Sequence, residues 1–414
     1  MYTRVDPPKV MLMSFLILLR SPSVTRLLLG SWVGRLPSAM AALTIPLALR
    51  EAGSGYGFVG AAAGSYAIAA AVGSPLLGRL VDRWGQTRVL VPTALLAAAG
   101  FVAIALAPSQ PAAVLVGAVL AGSMTPPLEP CLRVLWPAIA PEGKLESAYA
   151  LDSSAQELVF VAGPLVVTGS VAVWSPTAAL YVQALLGLFG VAVVASSRPS
   201  RQWRAEARST DWLGPLRSGR LVTLLSALIG VGFAIGTLNV LVVSYAERWD
   251  VPGGAPSLLA LNAFGSLAGV LVYGSRSWPG TLANRGLLFA AGLVVGYGLL
   301  VLVPPPGYMV VLMLLTGAFL APMLTVTFVL VGELAPPGTT TEAFAWLVTL
   351  FAAGTSLGSA AVGNVLAHTN EHWAALCGTA GALVTLTILA LGRKGFAAGP
   401  VAAPVPATAD AAQH

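Results

Sequence analysis

Six polar side chains sit inside apolar runs: Arg35, Glu129, Arg133, Asp152, Gln156 and Glu157. Only 9% of the 414 residues are charged, so the five ionisable ones stand out. Such groups are costly to bury in a bilayer, and each is a functional candidate for that reason. The chemistry open to them is proton binding and charge pairing. Burial disfavours the charged form of a carboxylate, and a neighbouring Arg restores it. A proton taken up by Glu129 or Glu157 would therefore release an Arg, or remove a charge that opposes one state of the protein. Glu129 and Arg133 are four apart with Glu first, the favourable order for a pair on one helix face. Arg35 has no helix-local partner. The same groups could instead form permanent pairs, Glu129–Arg133 and Arg35–Glu157, that only lock their helices together.

The elements that position them are membrane helices. Hydrophobic residues make up 57% of the chain, whereas soluble domains carry about 25% charged residues. That excludes a soluble globular protein. Apolar runs of about 20 residues, enough to span a bilayer, fall near 25–48, 56–78, 88–107, 111–136, 148–173 and 176–196. Six more fall near 221–246, 255–275, 285–303, 307–332, 342–367 and 371–392. The sequence thus predicts an all-α integral membrane protein of twelve transmembrane helices in two six-helix bundles, 25–196 and 221–392. An Arg-rich linker, 197–220, joins them. Residues 1–24 read as a cytoplasmic lead-in, in which Val10–Leu19 is too short to span, ends at Arg20 and lacks the small-residue cleavage site of a signal peptide. The Ala/Pro-rich tail, 393–414, reads as disordered.

Lys and Arg set the orientation. Arg79, Arg83, Arg88, Lys144, the linker arginines, Arg276, Arg285, Arg393 and Lys394 fall in alternate loops, and the opposite loops keep Arg50 and Arg248. The positive-inside rule then puts both termini in the cytoplasm.

An internal repeat relates the halves. Shifted by 195 positions, Gly122 falls on Gly317, Pro127 on Pro322, Ala140-Pro141 on Ala335-Pro336, Gly143 on Gly338 and Gly163 on Gly358. Spans 4 and 5 correspond to spans 10 and 11. Pro126, Pro127 and Pro130 remove backbone donors in span 4, as do Pro164 in span 5 and Pro322 in span 10, so kinks are expected there.

Between spans 2 and 3 runs Gly78-Arg79-Leu80-Val81-Asp82-Arg83-Trp84-Gly85-Gln86-Thr87-Arg88-Val89-Leu90. Gly suits close backbone approach, Arg the inner face, and Asp a nearby helix end. The stretch resembles the signature loop of the major facilitator superfamily, with Gly78, Leu80, Asp82, Arg83, Gly85 and Leu90 matching. Gln86-Thr87 replaces the usual basic pair, with Arg88 one place later. The resemblance implies a gate in which Asp82 meets the start of span 11, around Thr341 to Ala345. It also implies a central cavity lined by spans 1, 4, 7 and 10, which Arg35 and Glu129 would face, with Glu157 on a flanking helix. Gly163-Pro164 resembles part of an antiporter motif in helix 5, but Val167-Thr168 stands where a Gly pair belongs. Ala118 and Ala121 replace the Arg and Gln usual in helix 4. No subfamily follows.

The expectation is a secondary active transporter that moves a small organic molecule by alternating access, with protons as coupling ion and efflux as direction. The site would be a cell membrane, plasma or inner, and the protein a monomer. Uptake by symport or uniport, and a non-transporting receptor on the same scaffold, stay open. Apolar walls with one Arg suit a hydrophobic compound, an anion among them. No cofactor, metal or nucleic-acid partner is expected. Cys131 and Cys377 lack metal-ligand neighbours, the three His (His368, His372 and His414) lie on the outer side or in the tail, and neither a G-x-S-x-G nor a phosphate-binding loop occurs. That pattern leaves no enzyme chemistry to assign.

Overall fold

The computed structural model describes residues 18–206, 213–274 and 278–397. Most of the expected lead-in, Arg208 and Arg276 of the basic loops, and the tail from 398 lie outside the described residues. Within them there are helices and turns, and no strand.

Twelve helical spans follow in order, each apolar enough to cross a membrane. The first six are Pro22–Glu51, Tyr56–Trp84, Gln86–Leu106, Pro111–Arg133 with an interruption, Leu145–Val173 and Pro176–Ala195. The second six are Gly219–Arg248, Gly254–Gly274, Leu282–Leu300, Pro306–Leu334, Thr340–His368 and Glu371–Ala397. Span 1 begins inside the expected lead-in, and span 12 runs five residues into the expected tail. Apolar side chains such as Ile68, Leu165, Phe189, Phe264 and Leu391 stay exposed on the outer faces, where lipid would cover them. The linker holds a short helix, Arg198–Gln202, and a 3-10 turn, Gly214–Arg217.

Packing repeats between the halves. Span 1 lies on spans 5 and 6, span 2 on span 4, and span 3 on spans 4 and 6. The second half reproduces each relation six spans later: 7 on 11 and 12, 8 on 10, and 9 on 10 and 12. The bundles meet through spans 2 and 11, 5 and 8, 5 and 10, and 4 and 11, which again form two exchanged pairs. Such reciprocity is what a two-fold axis along the membrane normal produces.

The proline cluster acts more strongly than a kink. Span 4 leaves helical form between Met124 and Pro127, resumes as Leu128–Arg133, and continues in a short turn, Trp136–Ile139. Pro126 and Pro127 have no N–H to give, and each also pushes its predecessor away from helical backbone. By contrast, Pro164 and Pro322 lie inside helices that run through them without interruption. The matching positions Pro127 and Pro322 therefore differ in effect, because only the first sits in a Pro-Pro step.

Candidate functional site

Span 4 resumes with Glu129 and Arg133 one turn apart, and the broken backbone aims both into the first bundle. Span 5 brings Asp152 opposite them, and span 1 brings Arg35. Arg35 Nη1 donates to Asp152 Oδ1 at 2.9 Å, and Arg133 Nε donates to Asp152 Oδ2 at 2.9 Å. Arg133 Nη2 lies 2.5 Å from Glu129 Oε1, and Arg35 Nη2 lies 3.5 Å from Glu129 Oε2. The four charges thus alternate around a ring. Each carboxylate faces both guanidinium groups, and the formal sum is zero. Asp152 and Arg133 are 0% and 1% exposed, Arg35 6%, and Glu129 18%. Glu129 is the most exposed corner of the ring.

Donors exceed acceptors in this ring. Arg35 Nε and Arg133 Nη1 are buried without a hydrogen-bond partner, and Arg35 Nη2 has only its long approach to Glu129. Buried polar atoms are normally satisfied, so such a surplus marks a strained or functional place.

Glu157 is not part of the ring, so the alternative lock between Arg35 and Glu157 is absent: Arg35 pairs with Asp152 and Glu129 instead. Asp152 and Glu157 are five residues apart, and at about 100° per residue they point about 140° apart around span 5. Asp152 therefore faces spans 1 and 4. Glu157 faces the other bundle, where its Oε1 accepts a hydrogen bond from Ser266 Oγ of span 8 at 3.3 Å. Gln156 lies between these two directions, with a buried Oε1 that has no partner.

The basic loops gather a second set of contacts, between the bundles. The Asp82 carboxylate accepts from Thr341 N at 3.1 Å and Glu342 N at 2.9 Å, at the positive end of span 11. Arg79 grips Glu342 beside it, with Nη2 2.6 Å and Nε 3.1 Å from its carboxylate. A Cβ on Gly78 would come within 3.0 Å of the Glu342 Cα and the Ala345 Cβ, so a larger residue would force the spans apart. Gly85 has a φ of 88°, which lets span 2 turn directly into span 3. Gln86 is buried, and its Nε2 donates to the Cys131 carbonyl of span 4 at 2.9 Å. Here the replacement of a basic residue has a packing use. Arg83 and Arg88 are exposed.

On the other side of the axis, Arg285 Nη1 meets Glu146 at 2.9 Å, and Tyr273 Oη donates to the same carboxylate at 3.1 Å. Ser153 Oγ and Thr325 Oγ1 are 3.3 Å apart, and Thr349 Oγ1 donates to the Ala71 carbonyl at 3.2 Å. Sequence reasoning passed over Glu146, Tyr273 and Ser266. Nothing in a single span marks them, because each gains meaning only from a partner on the other bundle. Between the two bundles at this basic end lies a cavity of about 600 Å³, lined in part by Tyr149, Trp203, Arg204 and Glu333.

No group of His, Cys, Asp or Glu among the described residues could hold a metal ion. The arrangement pairs charges within the first bundle and holds the two bundles together at the basic end through polar contacts.

Comparison with known proteins agrees with this geometry. A bacterial homologue of the iron transporter ferroportin, in an outward-facing state, superposes with a TM-score of 0.72 at 17% identity, over 89% of this chain and 99% of that one. The human organic anion transporter MFSD10 (TETRAN) gives 0.70 at 16%, over 89% and 99%. A proton:xylose symporter gives 0.66 at 13%, over 88% and 94%. At such identities the likeness is one of fold. No curated protein sequence matches the chain. The sequence profile of the Major Facilitator Superfamily matches residues 27–306. With twelve spans in two exchanged bundles and a family profile over more than half its length, the chain belongs to the Major Facilitator Superfamily and is a multi-pass membrane protein with the fold of its transporters.

Proposed function

We propose that the protein is a secondary active transporter that exports a small organic molecule in exchange for protons by alternating access. The Arg-rich end would face the cytoplasm of a cell membrane, by the positive-inside rule. The structure then corresponds to an outward-facing state, closed inside by Asp82, Arg79, Glu342, Glu146 and Arg285. The observation that carries proton coupling is the placement of Glu157. Its carboxylate lies on the surface where the bundles meet, about 18 Å along span 5 from its basic end, with Ser266 as partner across the interface. Among the described residues it has no ion-pair partner. An acid so placed changes its surroundings each time the bundles rock. A proton bound from one side would then be released to the other.

Inside-out vesicles holding a pH gradient test this. A panel of amphiphilic compounds is added to wild type and to Glu157→Gln. Collapse of the gradient by some compound in wild type, and none in the variant, is the expected result. Equal collapse in both removes Glu157 from the mechanism, and a gradient that no compound moves argues against proton exchange.

A further inference from the structure

Arg133 and Phe328 lie 195 positions apart in sequence, and so do Tyr149 and Phe344. That is the repeat that relates the two halves. In a two-fold arrangement a residue meets its own equivalent only on the axis. Both pairs meet. The guanidinium carbon of Arg133 lies 3.5 Å from the centroid of the Phe328 ring. The Tyr149 and Phe344 rings are 6.3 Å apart, and Tyr149 lies 6.2 Å from Phe328 as well. Tyr149 Oη donates to the Arg133 carbonyl at 3.3 Å. All four side chains are buried.

The mixed pair does what neither like pair could. Two arginines would repel on the axis, and two phenylalanines would ignore the charged ring of residues. A guanidinium is planar, with donors around its edge and a face that stacks on aromatics. Arg133 spends its edge on Glu129 and Asp152, inside its own bundle. Its face is spent on Phe328 of the other bundle. The carboxylates fix the plane, and the plane decides whether the stack forms. From spans 1, 4 and 5 the charged groups around it are Arg35, Glu129 and Asp152, while spans 10 and 11 present Phe328 and Phe344.

We propose that Phe328 is a positioning residue for the transport cycle: its stack on Arg133 ties closure of the cytoplasmic end to the charges on Glu129 and Asp152. This rests on the alternating-access reading above. When Glu129 loses its charge, or turns to a solute, Arg133 loses one of its two anchors and swings. The stack then weakens and the bundles part at that end. Phe328 makes no contact with the substrate in this scheme, and it acts only through Arg133.

The test is a distance distribution between spin labels at Glu142 and Arg393, both exposed at the cytoplasmic end, with Cys131 and Cys377 replaced. Phe328→Leu keeps an apolar side chain and removes the π face, and it is expected to lower the closed-to-open ratio about tenfold. Phe328→Trp keeps the face and should stay within about threefold of wild type. Glu129→Gln should lower the ratio by itself and add little to Phe328→Leu, because the link is already cut. Where Phe328→Leu does not fold, Arg133→Lys reports on the same contact, since it keeps the charge and loses the planar face. Failure of every compound to move protons would sink the proton reading and leave this distance measurement intact. A ratio that is equal in Phe328→Leu and Phe328→Trp, or effects of Glu129→Gln and Phe328→Leu that multiply in full, would overturn the proposal.

Discussion

The two bundles share one packing plan and bury opposite things at equivalent places. Glu129, Arg133 and Asp152 of the first correspond, 195 positions on, to Leu324, Phe328 and Leu347 of the second. Phe328 and Leu347 are buried at 2% and 3% exposure, in the same frame that holds charges in the other half. The second bundle packs well enough with these apolar residues. Charge is therefore not needed to hold such a bundle together, and a buried ion pair is often no more stabilising than an apolar replacement of similar volume. The difference teaches that packing alone does not call for the ring of four charges, which fits the proposal that it acts between states.

The largest effect should come from breaking the ring at its most buried corner. Asp152→Asn leaves two guanidinium groups against one carboxylate, and removing one partner of a buried pair costs about 3–5 kcal/mol. Equilibrium unfolding in detergent would read the loss. A cost under about 1 kcal/mol would mean that water reaches the ring and that the contrast between the bundles is smaller than drawn.

A smaller effect is expected at the interface between the bundles. Asp82→Asn keeps the shape but weakens two charge-assisted bonds to the start of span 11, each on a buried backbone N–H. Bonds of that kind contribute about 1.5–3 kcal/mol. Alkylation of a cysteine introduced at Thr340, in the cavity at the basic end, should then speed up by roughly tenfold or more. An unchanged rate would show that Arg79–Glu342 and Arg285–Glu146 hold that end without Asp82.

Least change in stability is expected from the most drastic edit. Arg35→Met, Glu129→Leu, Arg133→Phe and Asp152→Leu together copy the apolar character of the second bundle. Removing all members of a buried ionic cluster is often neutral or stabilising, so unfolding should stay within about 2 kcal/mol of wild type while compound-driven proton movement is lost. Retained proton movement would place the coupling wholly outside the ring.

Much of the fold was legible in the sequence because each of its features is local. Span length, loop charge and the Gly/Pro repeat are read along the chain, and the twelve spans fall within a few residues of their expected ranges. The partnerships were less legible. Glu129–Arg133 lies on one helix, and the structure holds the two at 2.5 Å. A pair between Arg35 and Glu157 stays open in the sequence, because position along a span fixes height in the membrane and not direction around the helix. Asp152 and Glu157 share span 5 and face different bundles. A proline rule for single residues predicts only a bend in span 4 and understates the Pro-Pro step, where the helix breaks. Ser266 and Phe328 looked like ordinary span residues. Their interest comes from the residues across the interface, which no window of one sequence contains.

The central claim is that two bundles rock about the polar ring, opening one end as the other closes. Two distances measured by electron–electron resonance test it most directly, again with Cys131 and Cys377 replaced. One joins labels at the exposed sites Glu142 and Arg393 at the basic end, and the other joins Gln110 and His368 at the far end. Asp82→Asn, which weakens closure of the basic end, should lengthen the first distance and shorten the second in the same molecules. Lengthening of the first with the second unchanged, or no change in either, would contradict alternating access.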